Sequence, residues 1–446
     1  MGLTGLDIYK QLPKKNCGEC GPPTCLAFAM ALASGKTELS ACPYVSEEAK
    51  EALESASAPP IKLVKVGTGD REIQLGDEQV LFRHEKTFYH PTGVAISVSD
   101  ALDEDELQAR LDTINGLVFD RVGQQYRVDL VAITNESGDA ANFARTARTV
   151  AGKTNLALVL VALDPVVMRA ALSEVADQKP LLYAANNDNY EEMTQLASEN
   201  GCPLAVLGDG LDGLAELVQK IVDLGYKELV LDTGNREISR VLADLTQIRR
   251  LAIKKRFRPF GYPTIAFAQG ENTRDETIQA AAFVAKYASV VVTSASGKHE
   301  IMPLLTVRAN IFTDPQKPIQ VEPKVYQVGE VAPDSPVYVT TNFSLTYFSV
   351  EGEVEASKVP SYILAIDTDG TSVLTAWAAG KFSGEIVGEF VKSCGIEEKV
   401  NHREIVIPGH VAVISGKLEE ASGWKVIVGP REAAGIPSFA RSRFAS

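Results

Sequence analysis

"VDLVAITNESGDAANFARTARTVAGKTNLALVLVALDP" (Val128–Pro165) decides the fold. It opens on an apolar run, "VDLVAIT". It then passes through "DAANFARTARTVAG", whose apolar residues recur at helical spacing, and returns to a second run, "LALVLVAL". Continuous aliphatic runs fit parallel strands whose outer face is covered, and strand–helix–strand is the repeating unit of such a sheet. The pattern extends both ways. "GVAISVS" precedes it; "LLYAA", "PLAVLG", "ELVLDTG", "TIAFAQ" and "SVVVTSA" follow. Helix-like stretches such as "DEDELQARLDTINGLVFDRV", "LDGLAELVQKIVDLG" and "TRDETIQAAAFVAKY" lie between. Eight such repeats over residues 93–313 predict a (β/α)8 TIM barrel, in preference to an open doubly wound sheet.

The rest of this α/β chain arranges itself around the barrel. Residues 1–58 form a small cysteine-bearing domain, tethered by "ESASAPP" (Glu54–Pro60). Residues 59–92 read as short strands joined by Gly-Asp turns, a hairpin leading into the barrel as a lid or docking surface. Proline-rich residues 314–336 read as a linker. Residues 337–446 hold four strand-like runs, "VYVTT", "YILAIDT", "EIVIPG" and "KVIVGP", alternating with helical segments. That pattern predicts an open flavodoxin/Rossmann-like sheet.

Composition excludes some partners. The 446 residues carry a net charge of -14, which argues against nucleic acid and anionic membrane surfaces. No run of ~18 apolar residues is present, so no membrane span is expected. The first residues lack a signal-peptide core and miss the myristoylation pattern, so the expected location is cytoplasmic, where structural disulfides are disfavoured.

Four of the six cysteines nevertheless crowd into one segment. Cys17, Cys20, Cys25 and Cys42 are spaced C-x2-C-x4-C-x16-C. Gly18, Gly21, Pro22 and Pro23 allow a sharp turn. Thr24 reads as the N-cap of a short helix ending near Gly35, with Cys25 in its first turn, where the dipole favours a thiolate. Four thiolates complete either a [4Fe-4S] cluster or a zinc site. A lone C-x2-C knuckle and the Cys42-Pro43 pair favour the cluster. Cys202 and Cys394 read as ordinary buried cysteines.

Ligands of open parallel sheets bind beyond the strands' C-terminal ends. Here those ends are "TTNFSLT" (Thr340–Thr346), "DTDGTSVLTAWAAGK" (Asp367–Lys381), "IPGHVAVISGKLEE" (Ile407–Glu420) and "VGPREAAGIP" (Val428–Pro437). Four glycine- or hydroxyl-bearing loops on one edge suit a large phosphate-bearing ligand. No nicotinamide fingerprint or P-loop follows any strand. The barrel strands end on Asn135, Asp164, Asn186, Asp209, Asp232 and Gln269, which suit either a scaffold or a small-molecule site. "RRLAIKKRFRPFGYP" (Arg249–Pro263) reads as a solvated helix face or a docking surface.

The cysteine motif, the central barrel and "TDGTSVLTAWAAGKF" together resemble the large (gamma) subunit of the corrinoid/iron–sulfur protein of the acetyl-CoA (Wood–Ljungdahl) pathway. The resemblance runs the length of the chain. It implies a methyl carrier within a methyltransferase system rather than a stand-alone enzyme. A corrinoid in the C-terminal domain would accept a methyl group on Co(I) from methyltetrahydrofolate, presented by a methyltransferase, and give it to acetyl-CoA synthase. A [4Fe-4S] cluster would serve reductive reactivation of Co(II). The implied partners are a small subunit forming a heterodimer, the methyltransferase, and CO dehydrogenase/acetyl-CoA synthase.

The corrinoid-binding residues implied are Thr340, Thr346, Gly370, Thr371, Ser372, Val373 and Leu374. Gly409, Gly416, Gly429, Pro430, Arg431, Glu432 and Ala433 follow them. None is an acid, base or nucleophile, because the cofactor carries the chemistry. No histidine stands in the Asp-x-His-x-x-Gly pattern that supplies a lower ligand in many corrinoid proteins, and His410 comes closest. The cobalt is therefore expected to have no protein nitrogen ligand. Two other readings remain: an iron–sulfur oxidoreductase acting on a small molecule at the barrel mouth, and a zinc-stabilised scaffold.

Overall fold

The computed structural model describes residues 5–33, 36–46, 49, 59–314, 316 and 318–444. The expected helix stop at Gly35, and most of the expected tether with its boundary at residue 58, lie outside them. The chain divides into two compact units. One takes in residues up to Leu81, Tyr89–Leu107 and Asp129–Ser294. The other takes in Phe82–Phe88, Gln108–Val128 and everything from Ala295 on.

In the first unit, β1 (Val64–Val66) and β2 (Ile73–Leu75) form an antiparallel hairpin. Their apolar side chains enter the barrel. Val64, Val66 and Leu75 share one core with Ala95, Leu130, Ala157 and Leu181. The hairpin thus stops the end where the barrel strands begin. At its turn Gly67 holds φ +88, and a methyl group there would stand 2.5 Å from the Arg71 carbonyl oxygen. Arg71 bonds the Ala151 carbonyl at 3.0 Å and Asn155 Oδ1 at 3.1 Å. Neither a lid nor a docking surface is needed to explain these strands; they are a plug.

The barrel starts at β3 (Gly93–Ser99). A helix over Glu104–Asn115 follows, then a small hairpin, β4 (Val118–Arg121) and β5 (Gln124–Arg127). The sequence pattern extends the helix through Val122. Gly116 ends it instead, and Val122-Gly123, with φ 52 and 68, form a tight hairpin turn of the kind that suits twisted strands. Seven more parallel strands complete the barrel: β6 (Leu130–Thr134), β7 (Ala157–Val161), β8 (Leu181–Ala185), β9 (Leu204–Leu207), β10 (Leu229–Asp232), β11 (Ile265–Phe267) and β12 (Val290–Thr293). The order is β10-β9-β8-β7-β6-β3-β12-β11. One bridge, Leu231 to Thr264, joins the last pair and brings the barrel near closure.

A buried ion pair fixes the segment after the plug. Arg249 donates to Glu78 Oε2 at 3.1 Å and to the Val80 carbonyl at 2.6 Å. Glu78 Oε1 accepts the Tyr89 amide at 2.8 Å. Arg249 is therefore interior, and the first basic residue of the Arg249–Pro263 stretch belongs to no solvated face. Burial lowers its guanidinium pKa, against the pull of Glu78. Glu78→Ala removes the carboxylate that faces this buried cation, so it is expected to cost about 3–5 kcal/mol. A fall in urea midpoint checks this.

In the second unit Gly123 lets the small hairpin approach the Ser344–Ser357 helix; a methyl group at Gly123 would lie 2.1 Å from Phe348 Cζ. The unit's sheet comprises β13 (Val325–Val328), β14 (Val337–Thr341), β15 (Ser361–Ile366), β16 (Glu404–Ile407) and β17 (Lys425–Val428). The order is β13-β15-β14-β16-β17, with β13 antiparallel and the rest parallel. The stretch expected as a linker thus supplies an edge strand, "VYQV", against β15. Both faces are covered. Val339, Leu364, Phe382, Ile405 and Trp424 pack on one, and Tyr347, Val354, Ile363 and Ile436 on the other.

Candidate functional site

The N-terminal cysteines are gathered by local backbone chemistry. Thr24 caps the Cys25–Ala33 helix, its Oγ1 accepting the Ala27 amide at 3.1 Å. Asn16 then latches the loop to that helix. Its Oδ1 accepts the Cys25 amide at 2.9 Å, and its own amide donates to Cys25 Sγ at 3.4 Å. Gly18 and Gly21 hold φ +76 and +96, as the sharp turn requires. Cys42 leaves a short 3-10 turn, its amide bonded to the Leu39 carbonyl at 3.1 Å.

Cys25 and Cys42 are buried with Ile8, Leu12 and Phe28; Cys20 is half-buried and Cys17 exposed. Burial raises the Cys20 thiol pKa first, and the charges of Cys42, Cys17 and Cys25 raise it further. The four sulfurs therefore share one neighbourhood. Among the described residues no three ligating groups close to metal-holding distance. A cationic centre placed among the thiolates would relieve their mutual repulsion, and the donor set suits soft metal chemistry.

The second candidate site opens where the C-terminal sheet reverses direction. Numbered along the chain, its parallel strands stand in the order 2-1-3-4 from β15 to β17, so the switch point lies between β14 and β16. These two strands share one ladder pair, Tyr338 with Val406. Beyond their C-terminal ends lies a cleft of about 370 Å³. Thr340, Thr346, Ser372, Val373, Leu374, Pro430, Arg431, Glu432 and Ala433 all line it.

The remaining expected residues stand outside the lining. Gly409 and Gly429 shape it from behind. A methyl group at Gly409 would lie 2.6 Å from the Gly429 carbonyl, and the Gly409 amide bonds the Pro430 carbonyl at 2.9 Å. Gly416 sits exposed on a helix with nothing within 4 Å of an added methyl group. The Gly370 amide turns inward to Asn342, and Thr371 Oγ1 donates to the Thr368 carbonyl at 2.7 Å.

Asn342 is the organiser of this edge. It is fully buried. Its Oδ1 accepts from the Thr368 amide at 3.0 Å, Thr368 Oγ1 at 3.1 Å and the Gly370 amide at 3.2 Å. Its Nδ2 donates to Gln320 and Asp367, both at 3.1 Å. Gly370 holds φ +68, and a methyl group there would stand 2.6 Å from Gln320 Cγ. The loop thus presents Ser372, Val373 and Leu374 to the cleft because Asn342 fastens its base. The sequence shows Asn342 after a strand but gives no sign that its side chain makes five hydrogen bonds to four residues.

Most of the cleft wall is apolar, with Thr346, Ser349, Ser372, His410, Arg431 and Glu432 among its polar lining. Tyr338 and Thr340 line it, both are buried, and neither hydroxyl has a hydrogen-bond partner. Polar groups so placed fit a ligand that brings its own hydrogen-bonding atoms. At the rim, His410 Nε2 lies 3.2 Å from Glu432 Oε1.

The barrel's polar strand ends are mostly committed elsewhere. Asp164 caps a helix through the Val166 amide at 2.8 Å, and Asn135 donates to Asp100 at 2.6 Å. Gln269 pairs with Gln279. Asp232 binds Arg236, Tyr183 and the Gly234 amide. Burial drives the Tyr183 phenol pKa far up, helped by Asp232. Asn186 accepts the Asp188 amide at 2.9 Å, whereas Asp209 stands at a helix N-cap without a side-chain capping bond.

Comparison with known proteins places the chain in a family. Residues 63–440 match the family "CO dehydrogenase/acetyl-CoA synthase delta subunit". Residues 12–44, which span the four cysteines, match the family "Putative Fe-S cluster". The corrinoid/iron-sulfur protein large subunit of Moorella thermoacetica is 60% identical over 446 residues, covering 100% of both chains. The acetyl-CoA decarbonylase/synthase complex subunit gamma of Methanothermobacter thermautotrophicus is 38% identical, covering 98% of each chain. Its counterpart in Methanopyrus kandleri is 37% identical, covering 98% of this chain and 97% of that one. This chain belongs to the family of corrinoid/iron–sulfur protein large subunits and acetyl-CoA decarbonylase/synthase gamma subunits.

Proposed function

We propose that the chain is the large subunit of a cytoplasmic corrinoid methyl carrier. It takes a methyl group from methyltetrahydrofolate, through a methyltransferase, and delivers it to acetyl-CoA synthase. The 337–446 region is read as a flavodoxin-like corrinoid domain, and residues 1–58 as a [4Fe-4S] domain. When bound, the corrinoid's cobalt supplies the methyl-accepting nucleophile and the cluster supplies the electron that restores it after oxidation.

The observation that carries this reading is the cleft at the switch point, with two buried, unpartnered hydroxyls on its wall. Parallel sheets bind ligands at that position. Thr340, Thr346, Ser372 and the Pro430–Ala433 loop would hold the nucleotide tail. Leu374 and Val373 would lie against the corrin rim. Gly409 and Gly429 keep two loops close enough to form the floor. The cobalt is read as having no protein nitrogen ligand because no histidine stands in an Asp-x-His-x-x-Gly pattern. Cys17, Cys20, Cys25 and Cys42 would ligate the cluster. A smaller subunit is the expected partner for the exposed side of the cleft, where Leu374 and Leu345 stand half in solvent.

The test uses the chemically prereduced heterodimer with labelled methyltetrahydrofolate and methyltransferase. Stoichiometric label on the protein is expected, and absence of label would refute the reading. Cys20→Ala, prereduced in the same way, is expected to accept the methyl group to the same extent but to fail to recover after oxidation. Complete failure of transfer from the prereduced variant would contradict the separate duties assigned to cluster and cleft.

A further inference from the structure

Two buried hydroxyls of the cleft wall, those of Tyr338 and Thr340, have no hydrogen-bond partner within the protein. Tyr338 and Thr340 lie two residues apart on β14 and so share one face of the strand. Tyr338 is 4% exposed and Thr340 0%. The same cleft is lined by Val350, Val406 and Ile436, and also by Thr346 and Ser349. Burial alone raises the Tyr338 pKa to about 12, so the phenol stays a neutral donor. A buried hydroxyl without a partner is costly. Phenylalanine and valine would fill the same volumes without that cost. The cost is offset if a ligand pairs with both groups.

Resting on the reading that this cleft takes the corrinoid's nucleotide tail, we propose that Tyr338 and Thr340 select the lower base, the heterocycle at the end of that tail. A base that buries an oxygen- or nitrogen-bearing edge pairs with the two hydroxyls. A base that buries methyl groups there leaves both unpaired. Sites built to hydrogen-bond a ligand discriminate most strongly against the analogue that lacks the polar atom. Tyr338 and Thr340 are thus specificity residues and take no part in methyl transfer.

The test strips the heterodimer of cofactor and titrates it anaerobically with three cobamides. Their lower bases are 5-hydroxybenzimidazole, adenine and 5,6-dimethylbenzimidazole. Wild-type protein is expected to bind the first two about tenfold or more tightly than the third. The double variant Tyr338→Phe, Thr340→Val is expected to bring that ratio to about one, by weakening the first two, which lose their hydrogen-bond partners. Its cofactor-free melting temperature is expected to equal or exceed that of the wild type, because two unsatisfied groups are removed. Equal binding of all three by wild-type protein overturns the inference, and so does an unchanged ratio in the variant. Failure to bind any of the three overturns the carrier reading and the inference with it.

Discussion

Asn342→Ala is expected to destabilise the C-terminal unit by about 3–5 kcal/mol, far more than a typical loop substitution. The side chain accepts three hydrogen bonds and donates two, all within a buried turn. Alanine leaves the Thr368 and Gly370 amides without an acceptor and cannot admit enough water to replace it. The turn holds a strained backbone, Asp369 at φ 52 and Gly370 at φ 68, which loses its anchor. Ser372, Val373 and Leu374 should then leave the cleft wall, so cofactor retention falls with stability. Denaturant unfolding and cobalt retention, measured on one preparation, check this. A loss below about 1 kcal/mol would mean that the loop is organised by something other than Asn342.

Cys42→Ala is expected to abolish iron incorporation and to unfold the segment around it. Cys42 and Cys25 are buried among few apolar residues, Ile8, Leu12, Phe28, Ala29 and Val45. So small a core is marginal by itself, and a metal centre would supply the missing stability. Iron content is expected to fall to background. Limited proteolysis should cut within residues 5–46 while the barrel stays intact. Cys202 offers no control, since it is fully buried and burial raises its thiol pKa to about 11. Cys394→Ser, outside the cluster, is the appropriate comparison and should keep its iron. Full iron content in Cys42→Ala would remove that residue from the ligand set.

Much of this was legible because periodicity reports burial. Each barrel strand reads as an unbroken aliphatic run, since the interior packs one face and helices the other. The C-terminal strands and their loops were legible for the same reason. The edge strand Val325–Val328 was hidden by its neighbours. Four prolines between Pro315 and Pro333 suggest a linker, yet an edge strand tolerates such flanks. Residues 117–122 followed a helical pattern until Gly116 broke it, and a two-residue turn took over.

Site residues divide by mechanism. Glycines and hydroxyls at strand ends announce a loop, and nine of the fourteen expected cofactor contacts line the cleft. Sequence cannot separate a glycine that faces ligand from one that permits loop packing, as at Gly409 and Gly429. Nor does it reveal that Asn342 holds the loop from within, or that Tyr338 and Thr340 are left without partners. Those properties depend on which strands become neighbours.

The central claim is that the cleft between β14 and β16 holds the corrinoid. The most direct measurement is the cobalt content of the anaerobically purified heterodimer, for wild type and for Thr340→Trp, whose indole fills the cleft. Wild-type protein with corrin absorption and stoichiometric cobalt is predicted, alongside a cobalt-free variant of unchanged secondary structure. Cobalt retained undiminished in the filled variant, or absent from the wild type, would contradict the account.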